Sequence, residues 1–426
     1  MPSIPQMGRV LQTLVNVTAN AAALATGFTK RASKITGALF VQTLLFGWLG
    51  QPAATMEALA QTSAALGTAV SASALAQRFT EVGAACLRQV LANALQATVR
   101  GERVLLPVLP RFPAVTVQDS TTITLPAALA EPWRGCGGST PEAGAAALKV
   151  QVRFDLLTGC LDVLELTPGR ASDLRAQSQT APLPEGSLKL ADLGYVSLAS
   201  LADVVAQGVH ILCRLKCQLP IADETGRREH VAAFLARQRD AEVDEPVTVG
   251  AQQEVAGRLL AQRVPLAVAA ERRRKLRAEA KREGHMLSAD RLALCDWTFS
   301  FTTLPVARLT LAEALVVARL RWQVELLFKL WKSEGKLDES RGSKPLRILG
   351  EVYAKLLAMV VQHWLLLTTC WQLADRSLVK ASHTLRRFAL SLAISLADLE
   401  AFVAVVEMLG HCLASGCRLS SRASRP

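Results

Sequence analysis

At 426 residues the chain is too long for one ordinary compact domain and implies two or three units with ample core. A hydrophobic fraction of 50%, with only two Tyr, excludes extended disorder and favours a helix-rich globular protein. Lys and Arg outnumber Asp and Glu by 48 to 36, and this net +12 suits a polyanionic partner, either nucleic acid or an anionic membrane surface.

The chain opens on MPSIPQMGRV, which lacks a basic region followed by an apolar core, so no secretory signal is expected and the protein reads as cytoplasmic. Ala- and Leu-rich amphipathic stretches near 9–25, 37–48, 54–78 and 80–99 predict an all-α unit over residues 1–108. Its Arg9, Lys30, Arg31, Lys34, Arg78, Arg88 and Arg100 suit phosphate contacts, although isolated basic residues on helices are equally a solvated face.

From 112 the pattern changes to short strands: AVTVQDS, LKVQVRFDLLTG turning at 158–159, CLDVLELTPG, SLKLADLGY and, after a helix at 197–208, VHILCRLK. This order predicts a mixed sheet with helices packed on it. Residues 217–305 read as a β-rich insertion carrying one charged helix, RRRKLRAEAKREG at 272–284. Within it, Arg272, Arg273, Arg274 and Lys275 form a candidate phosphate-contact cluster, and the alternative is a solvated helix paired internally to Glu271, Glu279 and Glu283. After 310 the chain returns to helix, LAEALVVARLRWQVELLFKLWKSEG, then 346–374 and 384–413. The apolar run Leu356–Leu373 holds Gln362 and His363 and follows Lys355, which predicts a buried core helix and no membrane span. The nine cysteines show no CxxC pair and no zinc spacing, so reduced thiols are expected, with Cys213 and Cys217 on one face of a strand-like stretch.

Three positions carry candidate chemistry. Asp119 closes the run AVTVQ and Asp192 closes SLKLA; a carboxylate at a strand's carboxyl end projects where ligands usually bind, although such an Asp is often only a turn residue. Arg321, Glu325, Phe328 and Lys332 fall at i, i+4, i+7 and i+11 of one helix, so an acid and two bases share a face amid apolar neighbours. A simple Arg321–Glu325 ion pair is the plain alternative.

The segment from Arg321 through Glu325 to Lys332 resembles the Arg-x3-Glu-x6-Lys signature of bacterial DDE transposases of the insertion-sequence-four type. QDST at 118–121 resembles that family's first aspartate motif and ADLGY at 191–195 its second, while LTPGRASD and DWTFSFTTLP are similar to stretches placed between the motifs. The likeness covers roughly 110–335 in the right order. It implies a ribonuclease-H-like α/β core at 109–335, interrupted by the insertion at 217–305, between a helical DNA-binding unit at 1–108 and a helical C-terminal region at 336–426. It further implies Asp119, Asp192 and Glu325 as catalytic ligands of two Mg²⁺ or Mn²⁺ ions, hard cations that prefer oxygen donors. Arg321 and Lys332 would contact phosphate, Trp297 would support a flipped base, and the partners would be double-stranded DNA, as terminal inverted repeats and target, and a second copy of the chain. Two departures stand out: Ala318 replaces the signature's leading Tyr, and Leu193 lies where a basic residue is frequent. A nuclease without strand transfer, or a DNA-binding remnant without chemistry, are the competing expectations.

Overall fold

β-Branched residues recur through VTVQDSTTITL, which suits a pleated strand buried on both faces, and in the computed structural model this run forms the long strand β1 (Val115–Leu125). The structure describes residues 4–97, 99–101, 107–137, 144–250, 254–373 and 375–419. Among the described residues ahead of β1 lie six α-helices: α1 (Ile4–Gln12), α2 (Ala19–Ala25), α3 (Gly37–Gly50), α4 (Met56–Ala65), α5 (Ala72–Ala76) and α6 (Glu81–Gln96). Thr36, Thr55, Ser71 and Thr80 each cap a helix start through the side-chain oxygen, so polar loop residues define where these helices begin. The helical stretch read at 54–78 forms two helices, with Gly67 turning at φ +87 between them.

Beyond β1 come β2 (Ala146–Asp155), β3 (Leu161–Pro168), the one-turn helix α7 (Gln177–Thr180), β4 (Leu188–Ala191), α8 (Leu198–Ala206) and β5 (His210–Cys213). The insertion supplies β6 (Pro220–Asp223), β7 (Arg228–His230), α9 (Val231–Ala236), β8 (Glu242–Val249), β9 (Val255–Arg263), α10 (Leu266–Glu283), α11 (Ala289–Ala293) and β10 (Trp297–Thr302). Helices α12 (Leu311–Leu320), α13 (Trp322–Lys329), α14 (Pro345–Thr369), α15 (Leu378–Ser395) and α16 (Leu399–Ser415) complete the chain.

Among the described residues the strands make one ten-stranded sheet in the order β3-β2-β1-β4-β5-β10-β9-β8-β6-β7. The first three are antiparallel neighbours, while β4 and β5 run parallel to β1, the ribonuclease-H-like arrangement. The insertion is not a separate lobe: β10 pairs with β5 and carries the same sheet outward. Two expectations change here. Cys217 lies beyond the end of β5 and does not share a strand face with Cys213. Asp119 does not end a strand, since β1 continues to Leu125 because β2 pairs along its full length.

Helix α14 is the one helix among the described residues long and apolar enough to cross a membrane, and it is buried from Leu349 to Leu367 against α3, α6 and the sheet. His363 of α14 packs edge-on against Phe154, with ring centroids 5.8 Å apart, and Phe154 is the β2 register partner of Val117. That sheet face, which includes Val117 and Asp119, is therefore the one that α14 and α13 cover.

Candidate active site

The register brings the acids together. β4 pairs with β1 through Val117↔Leu190, so two steps further along the parallel pair Asp119 stands level with Asp192, just past the end of β4. β5 pairs with β4 through Ala191↔Cys213, so Arg214 is level with both. β4 and β5 stop there while β1 continues, which leaves an open notch in the sheet edge.

The third acid arrives on a helix that the sequence read as continuous. Thr310 and Glu313 form a reciprocal capping box that starts α12. The helix then breaks at Arg321, resumes as α13, and ends in a π-helical turn at Leu330–Glu334. Val324, Leu327 and Phe328 are buried, which fixes the face that turns Glu325 towards the notch. The Arg321 guanidinium lies between the acids, 2.7 Å from a Glu325 carboxylate oxygen and 3.8 Å from one of Asp192. Lys332 reaches back over β1 and donates to the Thr122 carbonyl at 2.9 Å.

Burial above all pushes the Asp119 carboxyl up to about 6; Glu325 and Asp192 add to the rise, while the Ser120 N–H and Arg321 oppose it. Gathering three carboxylates works against stability, and a half-exposed ion pair contributes only about 0–1 kcal/mol in return. Such a constellation has the character of a functional site.

Arg214 was not singled out from sequence, because nothing local distinguishes it; only the sheet register would have found it. Its guanidinium lies 5.7 Å from the centre of the Phe299 ring. Desolvation first, then Arg272 and Arg321, lowers its pKa, with Asp192 opposing.

The remaining expected site residues divide. Trp297 is 4% exposed, in the core of β10, with the Arg263 guanidinium 4.4 Å from its ring centre, so in this conformation it offers no face to a base. Arg272 donates to the Trp297 carbonyl at 2.8 Å and to Thr298 Oγ1 at 3.0 Å, and Arg273 pairs with Asp296 at 2.5 Å; both fasten α10 to the sheet. Arg274 and Lys275 are solvated and share Glu271, the internal pairing weighed as the alternative.

The fold and these acids bear directly on kinship. Residues 110–361 match the family described as the transposase DDE domain. The chain belongs to the DDE transposase family. It is 25% identical to the transposase for insertion sequence element IS231F of Bacillus thuringiensis subsp. israelensis, over 78% of this chain and 73% of that one. It is also similar to the transposase for insertion sequence element IS1151 of Clostridium perfringens, at 24% over 61% and 58% of the two chains. With the putative transposase InsL for insertion sequence element IS186A of Escherichia coli (strain K12) it shares 28% identity, over 53% and 62%. A DDE transposase is a nuclease and strand transferase that acts on DNA, and members of the family generally use divalent metal ions.

The donor set fits such ions by its chemistry, since three carboxylates around one notch are hard oxygen ligands and Asp119 already lies in the field of the other two. Among the described residues no three acid, His or Cys side chains are gathered closely enough to hold one ion, Glu325 and Asp192 being engaged by Arg321.

Proposed function

We propose that this protein mobilises a DNA element: it binds the terminal inverted repeats as at least a dimer, cleaves at their ends and transfers the strands to target DNA. The observation that carries this reading is the meeting of Asp119, Asp192 and Glu325, from three distant chain segments, around Arg321 at one sheet notch. The three acids would hold two Mg²⁺ or Mn²⁺ ions, which when bound supply an activated oxygen nucleophile and a stabilised leaving oxygen in an in-line displacement at phosphorus.

The chain's own groups do the rest. Asp119 must be ionised to act as a ligand, so its raised pKa makes metal affinity fall as the pH drops through about 6. Arg321, Lys332 and Arg214 line the notch with positive charge and position the phosphate backbone. Arg274 and Lys275, solvated on α10, extend this positive surface. The helical unit at 1–108, with Arg9, Lys30, Arg31 and Lys34 and no acid before Glu57, is assigned to end recognition, and the C-terminal helices to contacts between copies.

Ala318 keeps a second reading in view, a DNA-binding relative that has lost its chemistry, because a methyl group cannot make the hydrogen bond of the signature's tyrosine. The deciding experiment is cleavage of labelled DNA carrying the element ends, in Mg²⁺, Mn²⁺ or EDTA, by the wild type and Asp192→Asn. Metal-dependent nicking at the ends, absent from the variant, is the expected result. Binding without cleavage under every condition would favour the second reading, and Ala318→Tyr would then test whether the hydroxyl alone is missing.

A further inference from the structure

Behind the acids, on the opposite face of the sheet, runs a chain of hydrogen bonds between side chains that the proposed chemistry does not use. Ser120 follows Asp119 on β1 and its side chain points to this second face, where its register partner Gln151 is fully buried. Asp173, in the segment joining β3 to β4, collects three donors on one carboxylate oxygen: Gln151 Nε2 at 2.7 Å, Lys149 Nζ at 3.0 Å and Ser120 Oγ at 3.4 Å. The other end of Gln151 accepts from the Tyr195 hydroxyl at 3.3 Å.

Both ends of this chain return to the site. The Ser120 N–H donates to the Asp119 carboxylate at 2.8 Å, and the Tyr195 N–H donates to the Asp192 carbonyl at 2.9 Å across the short turn after β4. Gln179 of α7 donates to the Tyr195 carbonyl at 3.2 Å and fixes that turn from the same side. Burial pushes the Tyr195 phenol well above its ordinary value, so it remains a donor throughout the working pH range. A buried polar layer is no better for stability than well-packed apolar side chains of the same shape, and it costs more when only partly satisfied. What it supplies is a defined geometry, and here that geometry links the residue after one aspartate to the turn after the other.

We propose that Gln151, Asp173 and Tyr195 are positioning residues that set the separation of the Asp119 and Asp192 carboxylates and thereby the affinity of the site for divalent cations. This inference rests on the reading of those two acids as ligands. It makes the segment between β3 and β4, on the sheet face opposite the acids, a determinant of metal binding.

The test is calorimetric titration of the full-length protein with Mn²⁺, without DNA, so that no activity is required. Tyr195→Phe removes only the hydroxyl, and Ser120→Ala removes the links of that side chain to Asp173 and Tyr195; each is expected to weaken Mn²⁺ binding about tenfold or more, the usual effect of losing a residue that orients a metal ligand. Ser120→Thr restores the hydroxyl and should bind like the wild type. Val360→Ala, a core truncation in α14 outside the network, serves as the stability control and should lower the melting temperature without changing Mn²⁺ affinity. Wild-type affinity in Tyr195→Phe and Ser120→Ala, alongside a loss in Asp192→Asn, would overturn the positioning role alone. Wild-type affinity in Asp192→Asn would overturn the ligand reading and this proposal with it.

Discussion

His363 is buried at the centre of α14, and its Nε2 lies 2.6 Å from the Gly159 carbonyl at the tip of the β2–β3 hairpin. The carbonyl can only accept, so the ring is the neutral Nε2–H tautomer and donates. Gly159 has φ +67, and a Cβ there would come within 2.4 Å of Leu367, so the hairpin tip packs closely against α14. Burial pushes the His363 pKa from 6.5 down to about 4, the hydrogen bond opposing weakly. The sign follows from which state takes up the proton. Below pH 6.5 the unfolded chain binds a proton that the folded chain refuses until about pH 4, so the stabilising contribution is complete above 6.5 and is lost between these values. At about 1.4 kcal/mol per pH unit, the loss is roughly 2 kcal/mol by pH 5. For a chain of this size that lowers the melting temperature by about 2 °C if it unfolds as one unit. Differential scanning fluorimetry from pH 7.5 to 5 on the wild type and His363→Gln, whose amide can still donate, isolates the contribution of the histidine as the difference between the two curves. Curves that stay parallel over that range would refute the argument.

Asp119→Asn removes a half-buried charge that its two neighbours repel, so the metal-free variant should be more stable by about 1–3 kcal/mol above pH 6, the gain fading towards pH 4; Mg²⁺ or Mn²⁺ should raise the melting temperature of the wild type only. Alanine at Arg274 and Lys275 should lower the slope of log affinity against log salt by about one per residue that contacts phosphate and leave the melting temperature unchanged, whereas alanine at Arg272 and Arg273 should loosen α10 and lower it. An unchanged slope in the first pair would return those two residues to a solvated face. Lys355 is 2% exposed, paired at 2.9 Å with Glu351 and donating to the Lys336 and Glu339 carbonyls; Lys355→Met should cost about 3–5 kcal/mol by chemical denaturation, and adding Glu351→Leu should recover much of it.

What the sequence made legible followed from periodicity. The strands β1 to β5, the switch from helix to sheet near 112 and the helical face that joins Arg321, Glu325 and Lys332 are all repeats of two or of three to four residues, and they need no partner to be seen. What it hid depended on neighbours distant in the chain. Asp119 reads as the end of a strand because a polar residue follows apolar ones, yet β2 pairs beyond it and keeps β1 extended. The insertion reads only as a β-rich interruption of the core, because nothing local says that β10 will pair with β5. Arg214 becomes notable only once two parallel strands have set its level, and the polar face of β1 and β2 looks like ordinary alternation until Asp173 closes over it. Trp297, which the resemblance offers as support for a flipped base, lies in the core of β10 in the free chain, a placement that its position in the strand decides and its residue type does not.

The position of Arg321 bears on how the metal-free protein would receive a divalent cation at the proposed site. The guanidinium lies where positive charge is most needed, within 2.7 Å of Glu325 and 3.8 Å of Asp192, so without metal the chain neutralises its own acids. Both acids and the arginine are partly solvated, with side-chain exposures of 41%, 40% and 26%. The pair is therefore worth at most about 1 kcal/mol, and a divalent cation can displace it cheaply. Displacement would free the guanidinium for a DNA phosphate, its second proposed role. Arg321→Ala should then bind Mn²⁺ roughly two- to fivefold more tightly than the wild type in the absence of DNA, since a competing cation has gone. The same variant should cleave element ends more slowly, since a phosphate contact has gone with it. Weaker Mn²⁺ binding by DNA-free Arg321→Ala would mean that the arginine holds the acids in ligand geometry and does not compete for them.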